Sequence, residues 1–214
     1  DEALNEFYET GYLHNHVRMY VASIACNVGG SHWQVPARWM YYHLLDGDWA
    51  SNALSWQWVS GSNAVKKYYA NQKNINKYCH TDQKGTFLDV DYGSLEEAEI
   101  PEILRERTVT SLETPLPEKR SIEIDPELPT LIYNFYNLDP KWYEEANFNR
   151  VLLMEPSVYK AYPISSKSME FMLGLSENIK GIQCYVGEFE ELVETYGIRE
   201  AVFKEHPLNQ YRGR

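Results

Sequence analysis

Asp48, Asn52 and Trp56 recur at four-residue spacing within the segment 46–58. On a helix these three share one face at steps of roughly 6 Å, so an acid, an amide and an indole stand in a row. Such a row suits a flat, hydrogen-bonding aromatic ring system, with the carboxylate near one end and the indole stacked near the other. A second polar group, His14, Asn15 and Arg18, lies upstream, and Asn15 and Arg18 are helix-surface neighbours at a spacing of three. Arg18 can pair with Asp46 or with Asp48. Five of the six tryptophans, Trp33, Trp39, Trp49, Trp56 and Trp58, fall between residues 33 and 58, a density that either packs a helical core or lines a site. The histidines at 14, 16, 32, 43, 80 and 206 give no metal-ligand spacing beyond His14-x-His16, so no metal is expected. Gly-rich phosphate loops are missing. Cys26, Cys79 and Cys184 contain no C-x-x-C pair, which argues against a disulfide framework or a thiolate cluster.

Helices must position these residues. Leu13, Val17, Tyr20, Val21, Ile24 and Val28 fall at helical spacings until Gly29-Gly30 stops the run. A second helix is expected from Pro36, a good first-turn residue, to Gly47. A third starts near Asp48, whose charge suits a helix N-terminus, and ends at Gly61. From about Asn71 to Gly93 the chain turns polar and turn-rich, and a short helix from Leu95 to Arg107 precedes a connector holding Pro115 and Pro117. Beyond it the period changes. Leu131–Phe135, Arg150–Met154, Ile182–Val186 and Ala201–Phe203 read as short strands. Helical stretches separate the last three: Ser165 to Ile179, with Met169, Met172, Leu173 and Leu175 inward, and Glu188 to Tyr196. Strands alternating with helices predict a mainly parallel sheet covered on both faces. The expected organisation is a helical region over 1–93, a linker with a short helix over 94–124 and a small α/β domain over 125–214. Glu155-Pro156 and Glu205-His206-Pro207 follow strands, where open parallel sheets bind ligands.

With 214 residues, 43% hydrophobic and 14% aromatic, the chain can bury a sizeable core, which argues against disorder. Its apolar runs are only a few residues long, far short of a membrane span. The cysteine usage reads as reduced and cytoplasmic, and no secretory leader opens the chain. The net charge of −11 counts against a polyanion partner until it is divided: residues 1–80 hold six basic and six acidic residues, and residues 81–214 hold 14 and 25. All the excess acid lies in the second part. The first is neutral, with local basic groups such as Lys66-Lys67.

His14-Asn15-His16-Val17-Arg18-Met19, Trp33, and Asp46-Gly47-Asp48 followed by Asn52 and Trp56-Gln57-Trp58 together resemble the C-terminal half of the flavin-binding helical domain of the photolyase/cryptochrome family, over about residues 5 to 70. The resemblance implies FAD as cofactor. It implies that Arg18 and Asp46 form the ion pair beside the isoalloxazine, that Asp46 and Asp48 contact the ring edge and ribityl region, and that Asn52 faces flavin N5. Trp56 becomes the proximal electron donor and Trp33 the next relay. In members that split cyclobutane pyrimidine dimers, the residues matching Asn15, Met19 and Trp58 line the lesion pocket. Members acting on (6-4) photoproducts typically carry histidines at the first two positions. Damaged DNA is thus the implied partner, and light-driven dimer repair by electron transfer the implied function; the alternative is a cryptochrome-like photoreceptor without repair.

Two departures from the family pattern stand out. His16 replaces the usual arginine, a phosphate contact, with a weaker base. The run that ordinarily leads into a Phe-Asn-Pro motif is here Lys66-Lys67-Tyr68-Tyr69-Ala70-Asn71. The family's upstream segments, which supply diphosphate contacts and the third relay tryptophan, do not occur in the 214 residues, so a missing N-terminal half or a partner chain is expected to complete the pocket.

Overall fold

The computed structural model describes residues 2–106, 108 and 111–206, and divides the chain into two compact units, 1–111 and 112–214. The first is helical. Helix α1 spans Glu2–Thr10, α2 Asn15–Ser23, α3 Gln34–His43, α4 Trp49–Ser60, α5 Gln72–Cys79 and α6 Tyr92–Glu97. Asp48 caps α4 by accepting from the Ser51 amide at 2.7 Å, and Gly61 ends it in the left-handed region at φ +73°. Both bounds match the sequence expectation. Helix α2 does not run to Val28 as one α-helix: it passes at Ile24 into a π-helical turn, Ile24–Val28, which Gly29 closes. Helix α3 begins at Gln34, two residues before the expected Pro36, and stops at His43 because Leu44 turns extended.

The segment 71–93, expected to be turns, contains all of α5 and the start of α6. Asn71 caps α5 by accepting from the Asn74 amide at 3.0 Å, and Gln72, only 2% exposed, donates to Asn76 at 3.0 Å. The expected helix from Leu95 to Arg107 is replaced by α6, capped by Asp91, and a 3₁₀ turn at Glu102–Leu104; Pro101 cannot continue a helix, and Arg107 lies outside the described residues. Phe7, Leu13, Ala37, Met40, Leu44, Trp56 and Val59 form the main core of this unit. A second small cluster of Val28, Leu88 and Leu95 ties the segment after Ala70 to the π-helical turn.

The second unit is a four-stranded, all-parallel sheet in the order β3-β2-β1-β4, with β1 Thr130–Tyr133, β2 Asn149–Met154, β3 Ile182–Val186 and β4 Ala201–Phe203. All four expected strands are present. Ile132, Val151, Leu153 and Tyr185 pack with Phe189, Leu192 and Ile198, from α9 (Phe189–Tyr196) and the turn after it, on one face. Leu131, Tyr133, Leu152 and Met154 alternate to the other face and are buried. Helix α7, Pro156–Ala161, was not foreseen, although Pro156 at its first turn is the signal for it. Helix α8, Ser166–Ser176, buries Met169 and Met172 as expected, whereas Leu175 points outward at 40% exposure. Residues 112–124 belong to this unit, where Ile122 and Ile124 pack against the sheet core.

Candidate functional site

A cleft of about 300 Å³ opens between α2 and α4, floored by α3 and closed at one end by the connection 44–48. Helix α2 contributes Asn15, Arg18, Met19 and Ala22, which recur at three and four residues and so share a face. Helix α4 contributes Ser51, Asn52, Ser55, Trp56 and Val59, the same pattern two turns long. Asp48 stands at its head.

Arg18 is the organising cation. Its Nη2 donates to both carboxylate oxygens of Asp46 at 2.9 Å, and its Nε donates to the Leu13 carbonyl at 2.6 Å. Of the two acids left open by the sequence, Asp46 is the partner, while Asp48 spends one oxygen on the helix cap. Asn52, 9% exposed, donates from Nδ2 to the Ala37 carbonyl at 2.8 Å, which pins α4 to α3. That bond fixes the amide and leaves its oxygen without a protein donor among the described residues. Trp56 is 1% exposed and packs in the main core while also lining the cleft.

Of the remaining site residues expected from sequence, Asn15 and Met19 line the cleft, with Asn15 at its exposed mouth. Three do not line it. Trp33 precedes the first residue of α3 and packs half-buried on the core that holds Trp56. His16 is exposed, its ring stacked on His14 at 5.3 Å and on Tyr78 at 5.6 Å. Trp58 is 46% exposed and stacks on Tyr68 at 5.4 Å, so it is a surface indole and not a core one. Sequence reasoning missed Ala22, Met40, Leu44 and Val59, which give the cleft its apolar walls, and Ser51 and Ser55, which add hydroxyls on the α4 side. The signal for the α4 members was present: 48, 51, 52, 55, 56 and 59 complete one helix face.

Two buried groups elsewhere in this unit, neither of them lining the cleft, are held protonated: burial pushes the Cys26 thiol up to about 11 and the Tyr20 phenol up to about 12. Among the described residues no group of three or more His, Cys, Asp or Glu side chains can hold a metal ion, and no helix is long and apolar enough to cross a membrane. One cation, two carboxylates, the Asn52 amide and walls of Met19, Ala22, Met40 and Val59 line one cleft and fit a flat ring with a polar edge, and the volume is at the lower end for small-molecule sites.

The family model described as the FAD binding domain of DNA photolyase matches residues 1–129. A deoxyribodipyrimidine photo-lyase of Agrobacterium fabrum is 41% identical over 64 residues, 30% of this chain and 13% of that protein. One of Streptomyces griseus is 39% identical over 62 residues, 29% of this chain and 14% of its own length. Cryptochrome-1 of Arabidopsis thaliana is 34% identical over 62 residues, 29% of this chain and 9% of its own. Each alignment thus takes in a small fraction of the relative. No solved structure matches the chain.

Proposed function

Because the chain belongs to the family of FAD-binding domains of DNA photolyase, and FAD is therefore its cofactor, we propose that it forms part of a light-driven repair flavoprotein acting on cyclobutane pyrimidine dimers in DNA. The observation that carries this reading is the cleft itself, where Arg18 held by Asp46, Asn52 pinned to Ala37 and Trp56 converge on one slot. When bound, FAD supplies the light absorption and the one-electron chemistry. The chain supplies position and charge. Arg18, fixed by three hydrogen bonds from two of its nitrogens, sets a positive charge at one end of the slot, and Asp46 and Asp48 offer acceptors beside it. Asn52 lines the slot with its nitrogen already committed to Ala37, so its oxygen is the acceptor left for a ring N–H. Trp56 is the oxidisable side chain in the wall, and Trp33 on the same core is the next donor.

Asn15 and Met19 at the mouth provide a polar and an apolar contact for a base taken out of the duplex, and Trp58 offers a stacking face. Three free cysteines accord with a reducing, cytoplasmic setting.

The test is an absorption spectrum of the purified full-length gene product, followed by illumination with an oligonucleotide carrying a thymine dimer. Flavin bands with recovery of thymine absorbance establish the reading. Flavin bands with photoreduction but no recovery select a cryptochrome-like photoreceptor instead, and absence of flavin removes both. Asp46→Ala should lower flavin occupancy several-fold by leaving Arg18 unpaired, while Trp56→Phe should slow photoreduction by an order of magnitude or more and leave repair by chemically reduced protein intact. Unchanged photoreduction would take Trp56 out of the relay.

A further inference from the structure

A second cavity, of about 380 Å³, opens in the sheet unit where the turn before β2 meets the connection from α8 to β3. It lies beyond residue 129, outside the stretch that the family model matches, and no step of the repair reading uses it. Glu144, Glu145 and Asn147 line it from the turn, Arg150 from β2, and Asn178 and Lys180 from the connection.

Both sides are fixed by the chain itself. The Arg150 guanidinium is engaged by its own turn: Nη2 donates to the carbonyls of Tyr143 at 2.6 Å, Ala146 at 3.2 Å and Glu144 at 3.3 Å, and Nη1 to that of Phe148 at 3.3 Å. These bonds hold Tyr143 in the left-handed region at φ +51°, a conformation that a bulky side chain rarely adopts and that persists only where the surroundings impose it. On the other side the buried Ile179 anchors the connection, and Gly181 turns it into β3 at φ +75°. Asn178 donates from Nδ2 to the Leu175 carbonyl at 3.1 Å, which leaves its oxygen as an acceptor. Helix α8 ends at Ser176, so its carbonyl terminus adds partial negative charge beside Asn178.

What remains unpaired is a set of charges. Glu144, Glu145 and Lys180 are all exposed, and none of them forms an ion pair among the described residues although they line one cavity. Elsewhere in this unit Lys119, Arg199 and Lys204 each reach an acid. Two carboxylates and one ammonium held apart around a preformed hollow suit a molecule of the opposite pattern, with two cations and one carboxylate.

We infer that the cavity is a site for a free basic α-amino acid, whose carboxylate meets Lys180 and whose α-ammonium and side-chain cation meet Glu144 and Glu145. Asn147 and the Asn178 oxygen offer further polar contacts. The volume falls within the range of small-molecule sites. Ion pairs this exposed are each weak, so affinity depends on all three together, with a dissociation constant on the order of 0.1–1 mM. The site stands apart from the flavin cleft and holds or fails without it.

Equilibrium dialysis of the full chain against radiolabelled L-arginine tests it, with agmatine, which lacks the carboxylate, and L-citrulline, which lacks the side-chain charge, as competitors. Wild type should take up arginine saturably, and each competitor should be roughly fivefold weaker. Lys180→Gln should erase the preference over agmatine and keep that over citrulline. Changing Glu144 and Glu145 together to Gln should erase the preference over citrulline. All three side chains are exposed, so these variants keep the fold and a loss of binding reads the site. No saturable uptake of arginine at roughly ten times the expected dissociation constant, or preferences that survive both changes, overturns the assignment.

Discussion

The two units treat buried polar groups differently. In the helical unit the Tyr20 hydroxyl, the Ser23 hydroxyl, the Asn27 oxygen and the Asn74 oxygen are buried with no partner, whereas in the sheet unit only the Asn137 amide nitrogen is, among the described residues. Three of those four, Tyr20, Ser23 and Asn27, follow one another along α2 and its π-helical turn. The sheet unit shows the opposite habit: its strands bury Leu131, Ile132, Val151, Leu152 and Leu153 in a continuous parallel ladder. An unsatisfied buried group costs about 1–3 kcal/mol, so the helical unit gives up stability along the very helix that carries Arg18. None of the four lines the cleft itself; three of them follow the helix that carries Arg18 and its π-helical continuation.

The largest effect should come from the sheet. Leu152 is fully buried, and Leu152→Ala should cost roughly 2–5 kcal/mol, read as a lowered urea midpoint of the β signal in circular dichroism. A loss below about 1 kcal/mol would mean that the sheet core is as loosely packed as the helical unit, and the contrast would dissolve.

A second prediction concerns Glu155, a half-buried carboxylate of the sheet unit that does have a partner. Glu155 and Glu188 exchange places as caps: Glu155 accepts from the Phe189 amide at the start of α9, and Glu188 accepts from the Ser157 amide and hydroxyl in α7. Burial, with smaller repulsion from Glu188 and Glu190, raises Glu155 to about 7 against the opposing pull of the Phe189 bond. The native state therefore holds a proton that the unfolded chain releases near 4.5, so stability is full below that pH and falls as pH rises to about 7. Glu155→Gln keeps an acceptor for Phe189 and removes the ionisation. It should stabilise the protein at pH 8 by on the order of 2 kcal/mol and make little difference at pH 4. Thermal midpoints of both proteins across that range decide it; parallel curves would mean that Glu155 is solvated.

Much of this was legible in the residues, for unequal reasons. Strands β1 to β4 are short apolar runs between turns, and burial on both faces leaves such a run few alternatives. Helix α4 announced both ends through Asp48 and Gly61, and with them the face that bears Asn52 and Trp56. Helix α5 was hidden because Asn71, Gln72, Asn74 and Asn76 read as turn formers, yet here the Asn71 side chain caps the helix and those of Gln72 and Asn76 bond one another. The π-helical turn carries no sequence signal, since the apolar spacing through Val28 is that of an α-helix. The surface setting of Trp58 depends on where Tyr68 returns, a long-range pairing that no local pattern encodes.

The smallest effect has the most diagnostic sign. Ser23 is 1% exposed, and its hydroxyl has no hydrogen-bond partner. Ser23→Ala removes a desolvated polar group and places a better helix former inside α2, so it should stabilise the helical unit, by up to about 1 kcal/mol, instead of destabilising it as most buried substitutions do. The urea midpoint followed by tryptophan fluorescence reads this unit, since five of the six indoles lie between residues 33 and 58. Loss of stability on Ser23→Ala would show that the hydroxyl is bonded in solution, with a buried water as the natural partner. The polar run along α2 would then be a hydrated, satisfied seam, and the contrast between the two units would be one of solvation, not of strain.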